Sequence, residues 1–249
     1  MSDVVTAGAA NLAAWHDASL AALGVVSDPT PDWWRAAQTQ PSIYHSAVSR
    51  RRGSGIADRR RLVADLGDWA DGNGTYLSVC DSFGELDLRP LGIAHRARAP
   101  WFHRVATADD PLPPVPSIPG LRIDRVADVE DLVAFERTVV RAYGARPPVS
   151  DLDIHAPGIL ADPAMDLRLA RLDGAAVGVG MGYRAAGLVG VYGIGVVPEA
   201  RGLGIATALT AAVLAGSARL PAVLQPSPAA EGLYRRLGFA AAGWYDHWA

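Results

Sequence analysis

The chain of 249 residues predicts an α/β fold, a mixed central sheet flanked by helices. Three observations carry that prediction. From Leu121 onward, apolar and β-branched runs alternate with runs of helical periodicity. Asp173-Gly174 separates two apolar runs as a two-residue hairpin turn would. The stretch from Val191 to Ala215, VYGIGVVPEARGLGIATALTAAVLA, reads as strand, tight glycine turn and helix.

In chain order, Asn11 to Leu23 reads as a first helix, with Leu12, Trp15, Leu20 and Leu23 near one face. Asp28-Pro29-Thr30-Pro31 ends that unit. Trp33 and Trp34 start a second short piece, and Ser42 to Val48 suits a strand. Asp58 to Ala70 suits a helix, with Leu62, Leu66 and Trp69 inward. Asp71-Gly72-Asn73-Gly74 is a turn signal. Thr75 to Cys80 alternates as a strand, Phe83 to Leu91 suits a short helix, and Pro100 to His103 closes the region. The proline-rich run Asp109 to Pro119, DDPLPPVPSIP, reads as an extended linker. It divides the chain into residues 1–108, a linker at 109–120, and residues 121–249.

The second part is more regular. Leu121 to Val126 is a strand. Asp128 is a helix N-cap with Asp131 at the third position, and that helix runs to about Ala142 and stops before Gly144. Pro147 to Pro163 is irregular. Asp166 to Leu172 and Ala175 to Tyr183 form the hairpin, and Ala186-Gly187 turns into the next strand. After the Ala-rich helix come a strand at Pro221 to Gln225, a helix at Pro228 to Leu237 and a strand at Phe239 to His247.

Composition narrows the function. A net charge of -3 argues against nucleic acid or an anionic membrane as an obligatory partner. One cysteine, Cys80, leaves no internal disulfide and suits a reducing cytosol. No apolar run approaches the roughly 20 residues that span a bilayer. No cluster with metal-ligand spacing is expected, and an oligomer is compatible with the sequence.

The glycine turn is where chemistry is expected. Gly202 and Gly204 tolerate positive φ and admit close backbone approach. The helix that follows opens with unpaired N–H groups and a partial positive charge, which together suit a phosphate or pyrophosphate. Arg201 adds a charge able to pair with a phosphate oxygen. The turn is neither a Walker loop nor a dinucleotide fingerprint, because Gly-Lys-Ser/Thr is absent and position 207 is Thr.

Val196-Val197-Pro198-Glu199-Ala200-Arg201-Gly202-Leu203-Gly204-Ile205-Ala206 resembles the coenzyme A loop of the GNAT acyltransferases. Leu233-Tyr234-Arg235-Arg236-Leu237-Gly238-Phe239 is similar to the family's closing LYxxLGF at the matching distance. The resemblance covers about Leu121 to Ala249. It implies the GNAT acyl-CoA N-acyltransferase fold, with acetyl-CoA or another short acyl-CoA as co-substrate and a primary amine of a small molecule as acceptor. It implies that Arg201, Gly202, Leu203, Gly204, Ile205 and Ala206 hold the pyrophosphate, that Ile194, Gly195 and Val196 align the pantetheine arm, and that Tyr234 protonates the departing thiolate. Alternatives are an acyl-CoA-binding sensor without catalysis, and acetylation of a protein N-terminus.

A faint repeat accompanies the resemblance. Arg52 to Ala57 echoes Arg201 to Ala206, and Leu77 to Ile93 echoes Val223 to Phe239, so the first part looks like a degenerate, partial GNAT unit. Its Arg52 loop is expected to be a solvated loop rather than a second coenzyme site. The family's strand glutamate has no counterpart between Leu188 and Val197. Glu199, Glu136 and His155 are weaker candidates for the base, each expected to be structural or exposed. The irregular segment Gly144–Pro163 and Trp244, Tyr245 and Trp248 are candidates for an acceptor pocket or for packing between the two parts.

Overall fold

The computed structural model describes all residues except 1, 39, 42, 75–76, 107–116, 146 and 218–219. The described strands form one ten-stranded sheet of mixed direction with helices on both faces. The first part contributes α1 (Ser2–Ala22), β1 (Trp33–Arg35), β2 (Ala47–Ser49), α2 (Ile56–Asn73), β3 (Val79–Asp81) and β4 (His95–Arg104). The second contributes β5 (Leu121–Arg125), α3 (Val129–Tyr143), β6 (Met165–Leu172), β7 (Ala175–Ala185), β8 (Leu188–Val196), α4 (Ile205–Ala215), β9 (Ala222–Leu224), α5 (Glu231–Arg236) and β10 (Ala240–Trp248).

The strand order is β1-β2-β3-β10-β4-β9-β8-β7-β6-β5. The closing strands of the two parts are therefore exchanged. β10 runs antiparallel beside β3 of the first part, and β4 runs antiparallel beside β9 of the second. The pairs that precede them match as well, since β2 with β3 and β8 with β9 are the two parallel contacts. Most of the expected linker, residues 109–116, lies outside the described residues. At its end, Ile118 packs against the cluster of Val177, Val196, Val197 and Ile205.

The local chemistry explains the elements. Asp128 caps α3 by accepting the Asp131 N–H at 2.9 Å, and Gly144 ends it with φ +61°. Asp173 and Gly174 have φ +50° and +86°, and Ala186 and Gly187 have +52° and +73°. Both turns are thus type I′, whose twist matches the strands they join. One face of the sheet is covered by α1 and α3 over Trp15, Phe135, Met181 and Tyr192. The other carries α2 over Trp33 and Trp248, and α4 and α5 over Phe102, Val191 and Val213.

Several expectations are corrected. α1 begins well before Asn11, because Val5 and Ala9 already pack against the sheet. α2 runs through Asp71–Asn73, where a turn was expected, and ends at Gly74 with φ +58°. The expected strands at 42–48 and 75–80 shrink to β2 and β3, while residues 42 and 75–76 lie outside the described residues. Phe83 to Leu91 holds only a 3-10 turn at Arg89–Leu91, because the Asp81 carboxylate takes the N–H groups of Phe83, Glu85 and Leu86 and wraps the chain around itself. The closing segment at Pro100–His103 is the buried half of a ten-residue strand, β4.

Candidate active site

The site forms where β8 and β9 part. Their parallel pairing is confined to Val189 with Ala222 and Gly190 with Val223. Beyond those pairs β8 follows β7 up to Val196, while β9 ends at Leu224 and the chain turns toward α5. The opening is a cavity of about 240 Å³. Val191–Ile194 line one wall, Leu224, Gln225 and Ser227 the other, and Tyr143 and Tyr234 close it.

A β-bulge shapes the first wall. Between the pairs Val179–Gly195 and Met181–Tyr192, β8 advances three residues against two on β7. Gly193 sits in this bulge at φ +56°, and a Cβ there would lie 2.4 Å from the Met181 methyl. Glycine is therefore demanded twice, by conformation and by space. Past the bulge, Val197 donates its N–H to Val177 on β7, so by alternation residue 195 also faces β7. Ile194 and Val196 turn their carbonyls to the open side. There the Tyr143 hydroxyl donates to the Ile194 oxygen at 3.1 Å, and Arg201 Nε donates to the Val196 oxygen at 3.1 Å. Of the three β8 residues singled out in the sequence, Ile194 lines the cavity, Val196 turns its carbonyl to the same open edge farther along, and Gly195 faces β7. A side chain at Gly195 would lie 3.0 Å from both Ala142 and the Tyr143 ring, so its absence lets α3 lie close.

The glycine turn stands beyond the end of β8. Gly202 and Gly204 have φ +80° and +87°. The first intrahelical bond of α4 runs from Ala208 N–H to the Gly204 oxygen at 3.1 Å. The N–H groups of Ile205, Ala206 and Thr207 precede it and have no intrahelical acceptor. The first turn of α4 carries no acidic residue, and no side chain caps it. Its partial positive charge is therefore available to an anion. Leu203 is exposed at the tip of the turn. Arg201 is held by two backbone oxygens. Its guanidinium donates from Nε to Val196 and from its terminal nitrogen to the Ala142 oxygen at 2.7 Å, tying the end of α3 to β8.

Tyr234, on α5, is 7 % exposed and meets Phe239 edge-on at 5.9 Å between ring centres. Among the described residues its hydroxyl has no hydrogen-bond partner, and it lines the cavity. Burial, and then the nearby Tyr143, push its acidity well below that of a free phenol, so it is neutral and protonated at pH 7. Burial pushes the Tyr143 hydroxyl up to about 12.

The candidate bases are elsewhere engaged. Glu136 is buried and accepts the N–H groups of Leu152, Ile154 and His155 at 2.7, 2.9 and 2.8 Å. Burial raises its pKa, but the bonds from His155 and Ile154 outweigh it and hold the carboxyl below its usual value. Glu136 thus organises the segment after α3. His155 lies buried at 3.5 Å from it and edge-on to Phe135. Glu199 pairs with Arg141 at the surface. Among the described residues, neither the irregular segment nor the C-terminal aromatics line this cavity. Ile154 and Ile159 pack in the core with α1, Trp248 packs with α2, Tyr245 meets Trp101 edge-on, and Trp244 is 55 % exposed. Among the described residues no group of three or more His, Cys, Asp or Glu is placed to hold a metal, and no helix is long and apolar enough to cross a membrane.

The first part of the chain reaches this cleft from behind. Asn11 of α1 donates from Nδ2 to the carbonyls of Tyr183, Ala185 and Leu188, and accepts from the Tyr192 hydroxyl at 2.7 Å. Trp15 stacks on the Tyr192 ring at 4.3 Å. On the other wall, the Gln225 amide donates to Cys80 Sγ at 3.4 Å. Nothing in the sequence marked Asn11, Gly193, Tyr143 or Tyr192. The glycine cluster at 190, 193 and 195 was the one available signal, and it does not say which glycine takes positive φ.

The sequence model of the acetyltransferase (GNAT) domain matches residues 166–241. No curated protein matches the chain. Among solved structures, the chain resembles a GCN5-related N-acetyltransferase from Kribbella flavida, with TM-score 0.62 and 21 % identity over 95 % of this chain and 94 % of that one. It also resembles a GCN5-related N-acetyltransferase from Sphaerobacter thermophilus, with TM-score 0.59 and 22 % identity over 81 % and 70 %. A third likeness is a GNAT-family acetyltransferase structure from Novosphingobium aromaticivorans, with TM-score 0.58 and 20 % identity over 92 % and 94 %. At these identities the likeness is one of fold, and in the first and third it extends over nearly the whole chain.

Proposed function

From the premise that residues 166–241 are a GNAT acetyltransferase domain, in a chain with that fold over nearly its whole length, we propose that the protein is an acyl-CoA-dependent N-acyltransferase. It moves an acetyl or short acyl group to a primary amine of a small molecule. The observation that carries this reading is the parting of β8 and β9, with an uncapped helix N-terminus at one end and a neutral phenol inside. The small cavity favours a small amine over a peptide chain.

In this reading the N–H groups that open α4 bind the pyrophosphate, with Gly202, Leu203 and Gly204 shaping the turn. The pantetheine arm lies along Ile194 and Val196. The amine nitrogen attacks the thioester carbon, a C–N bond forms, and the C–S bond breaks. Tyr234 gives its proton to the departing thiolate. The proton lost from the amine leaves to water, since no carboxylate or imidazole lines the cavity among the described residues. Tyr234 then recovers a proton from solvent. The first part of the chain is a degenerate GNAT-like unit that completes the sheet and holds the cleft from behind.

The lack of a carboxylate in the cavity also favours one other reading, a coenzyme-binding sensor without turnover. Calorimetric titration of acetyl-CoA into the parent protein and a Gly204→Asp variant tests the site. A carboxylate at the helix start repels the phosphates, so binding by the parent alone is expected. No binding by the parent overturns both readings. Binding with no thiol release across a panel of amines leaves only the sensor.

A further inference from the structure

We propose that Tyr143 is a further residue of the coenzyme site, capping the Ile194 carbonyl in the free protein and yielding it to an amide of the pantetheine arm. The inference rests on the reading above, in which that arm lies along the open side of β8. Two carbonyls face that side past the bulge, and both are already engaged, Ile194 by Tyr143 and Val196 by Arg201. The Ile194 oxygen has a second lone pair, but a ligand amide that approaches it along the open edge of β8 competes with the tyrosine hydroxyl for that side.

The pose is built into the chain. Tyr143 is the last residue of α3, and Gly144 in the left-handed conformation turns the backbone away directly after it. Arg201 holds the Ala142 carbonyl and fixes that last turn against β8. Gly195 leaves the strand bare where the ring lies, since any Cβ there would crowd it at 3.0 Å. Yet the residue is 57 % exposed. Its side chain borders the cavity through the hydroxyl bond to Ile194 and is otherwise largely open to solvent. A rotation about its side-chain bonds alone takes it off the strand, without moving helix or sheet. Freed from the strand, the hydroxyl is fully hydrated, and its acidity returns toward that of an ordinary phenol.

A cap of this kind competes with the ligand, so removing its hydroxyl strengthens binding. Free coenzyme A is titrated calorimetrically into the parent and Tyr143→Phe proteins. Losing one neutral hydrogen bond from the free state is expected to tighten binding about 5-fold. A purely structural role for Tyr143 would leave affinity unchanged or lower it. In parallel, the parent protein carrying tyrosine labelled with carbon-13 at Cζ is titrated with coenzyme A. The Tyr143 resonance is expected to shift and its pH midpoint to fall from about 12. Failure of both proteins to bind overturns this inference together with the proposed function. Binding by the parent, with equal or weaker binding by Tyr143→Phe or an unmoved Tyr143 resonance, overturns the cap alone.

Discussion

Replacing Asn11 with alanine is expected to cost about 3 kcal/mol of stability, although the residue lies far in sequence from the strands it holds. Asn11 is fully buried. Its amide spans the Tyr183, Ala185 and Leu188 carbonyls at 3.1, 2.9 and 3.4 Å, and its oxygen takes the Tyr192 hydroxyl at 2.7 Å. The fit depends on Gly190, where a Cβ would stand 2.1 Å from the Asn11 oxygen. The three carbonyls lie on the paired strands β7 and β8, so losing the amide costs them little more than its net bonds. The Tyr192 hydroxyl is different, because alanine leaves it buried with no acceptor. An orphaned buried polar group costs about 1–3 kcal/mol, and lost bonds of ordinary worth bring the total to about 3. For a chain of this size that lowers the melting temperature by roughly 6–12 °C. Urea unfolding of the parent, Asn11→Ala, Tyr192→Phe and the double variant measures it. The double variant removes both partners, so its cost is expected to fall short of the sum of the singles by about 1 kcal/mol or more. A cost for Asn11→Ala below about 1 kcal/mol, or strictly additive singles, refutes the clasp.

Four further outcomes are expected. Tyr234→Phe keeps the buried ring, so the acetyl-CoA dissociation constant stays within a factor of about two while kcat falls about 10²-fold; an unchanged kcat removes the acid role. Glu136→Gln leaves three buried N–H groups sharing one neutral oxygen and costs about 2 kcal/mol at pH 7 in denaturant titration; because the carboxyl is held below its usual value, its contribution is full above pH 4.5 and lost as pH falls through the folded value, so the variant's deficit should shrink at pH 3.5. His16 donates from Nδ1 to the Leu12 carbonyl and accepts the His45 N–H at Nε2, and burial pushes it down to about 4. An unfolded histidine titrates near 6.5, so this group's stabilisation is complete above pH 6.5 and is lost toward pH 4, by about 3 kcal/mol; a flat stability between pH 6.5 and 5 contradicts it. Residues 121–249 expressed alone lack β4 beside β9 and α1 over Tyr192, and a cooperative melt of that piece would refute the exchange of strands.

The second part of the chain was legible because its signals are local. Asp128 announces a cap, Asp173-Gly174 a type I′ turn, and the Ala-rich run after Gly204 a helix, and each depends on residues a few positions apart. What was missed depends on distance. β4 shows no alternation, since residues 95–98 are exposed and 99–102 buried without a break, and its partners β9 and β10 lie more than 100 residues away. The period-2 signal fails for a strand that passes from the solvated rim into the middle of a sheet. The start of α1 was missed because an Ala-rich run has no face until something packs on it. Within the site, the turn and Tyr234 were readable as a motif. Tyr143 and Asn11 were not, because their roles come from carbonyls on β7 and β8 that tertiary packing brings to them.

The two loops that echo each other in sequence end in opposite electrostatic states. In the first part, Asp58 lies in the first turn of α2. It accepts the Ser54 N–H at 2.9 Å and the Ser54 hydroxyl at 3.2 Å, and it pairs with Arg51 and Arg61. The chain thus supplies its own anion at that helix start, and the arginines that resemble phosphate ligands are neutralised by Asp58, Asp32 and Glu85. In the second part, the first turn of α4 has no acidic residue. A phosphate brought to the start of α2 meets the negative Asp58 carboxylate, which is covalently part of the helix and already pairs with the nearby arginines. At α4 it meets open donors and an uncompensated dipole. Strand, turn and helix recur in both halves, and a single carboxylate in the first helical turn sets the electrostatics of the two helix starts apart.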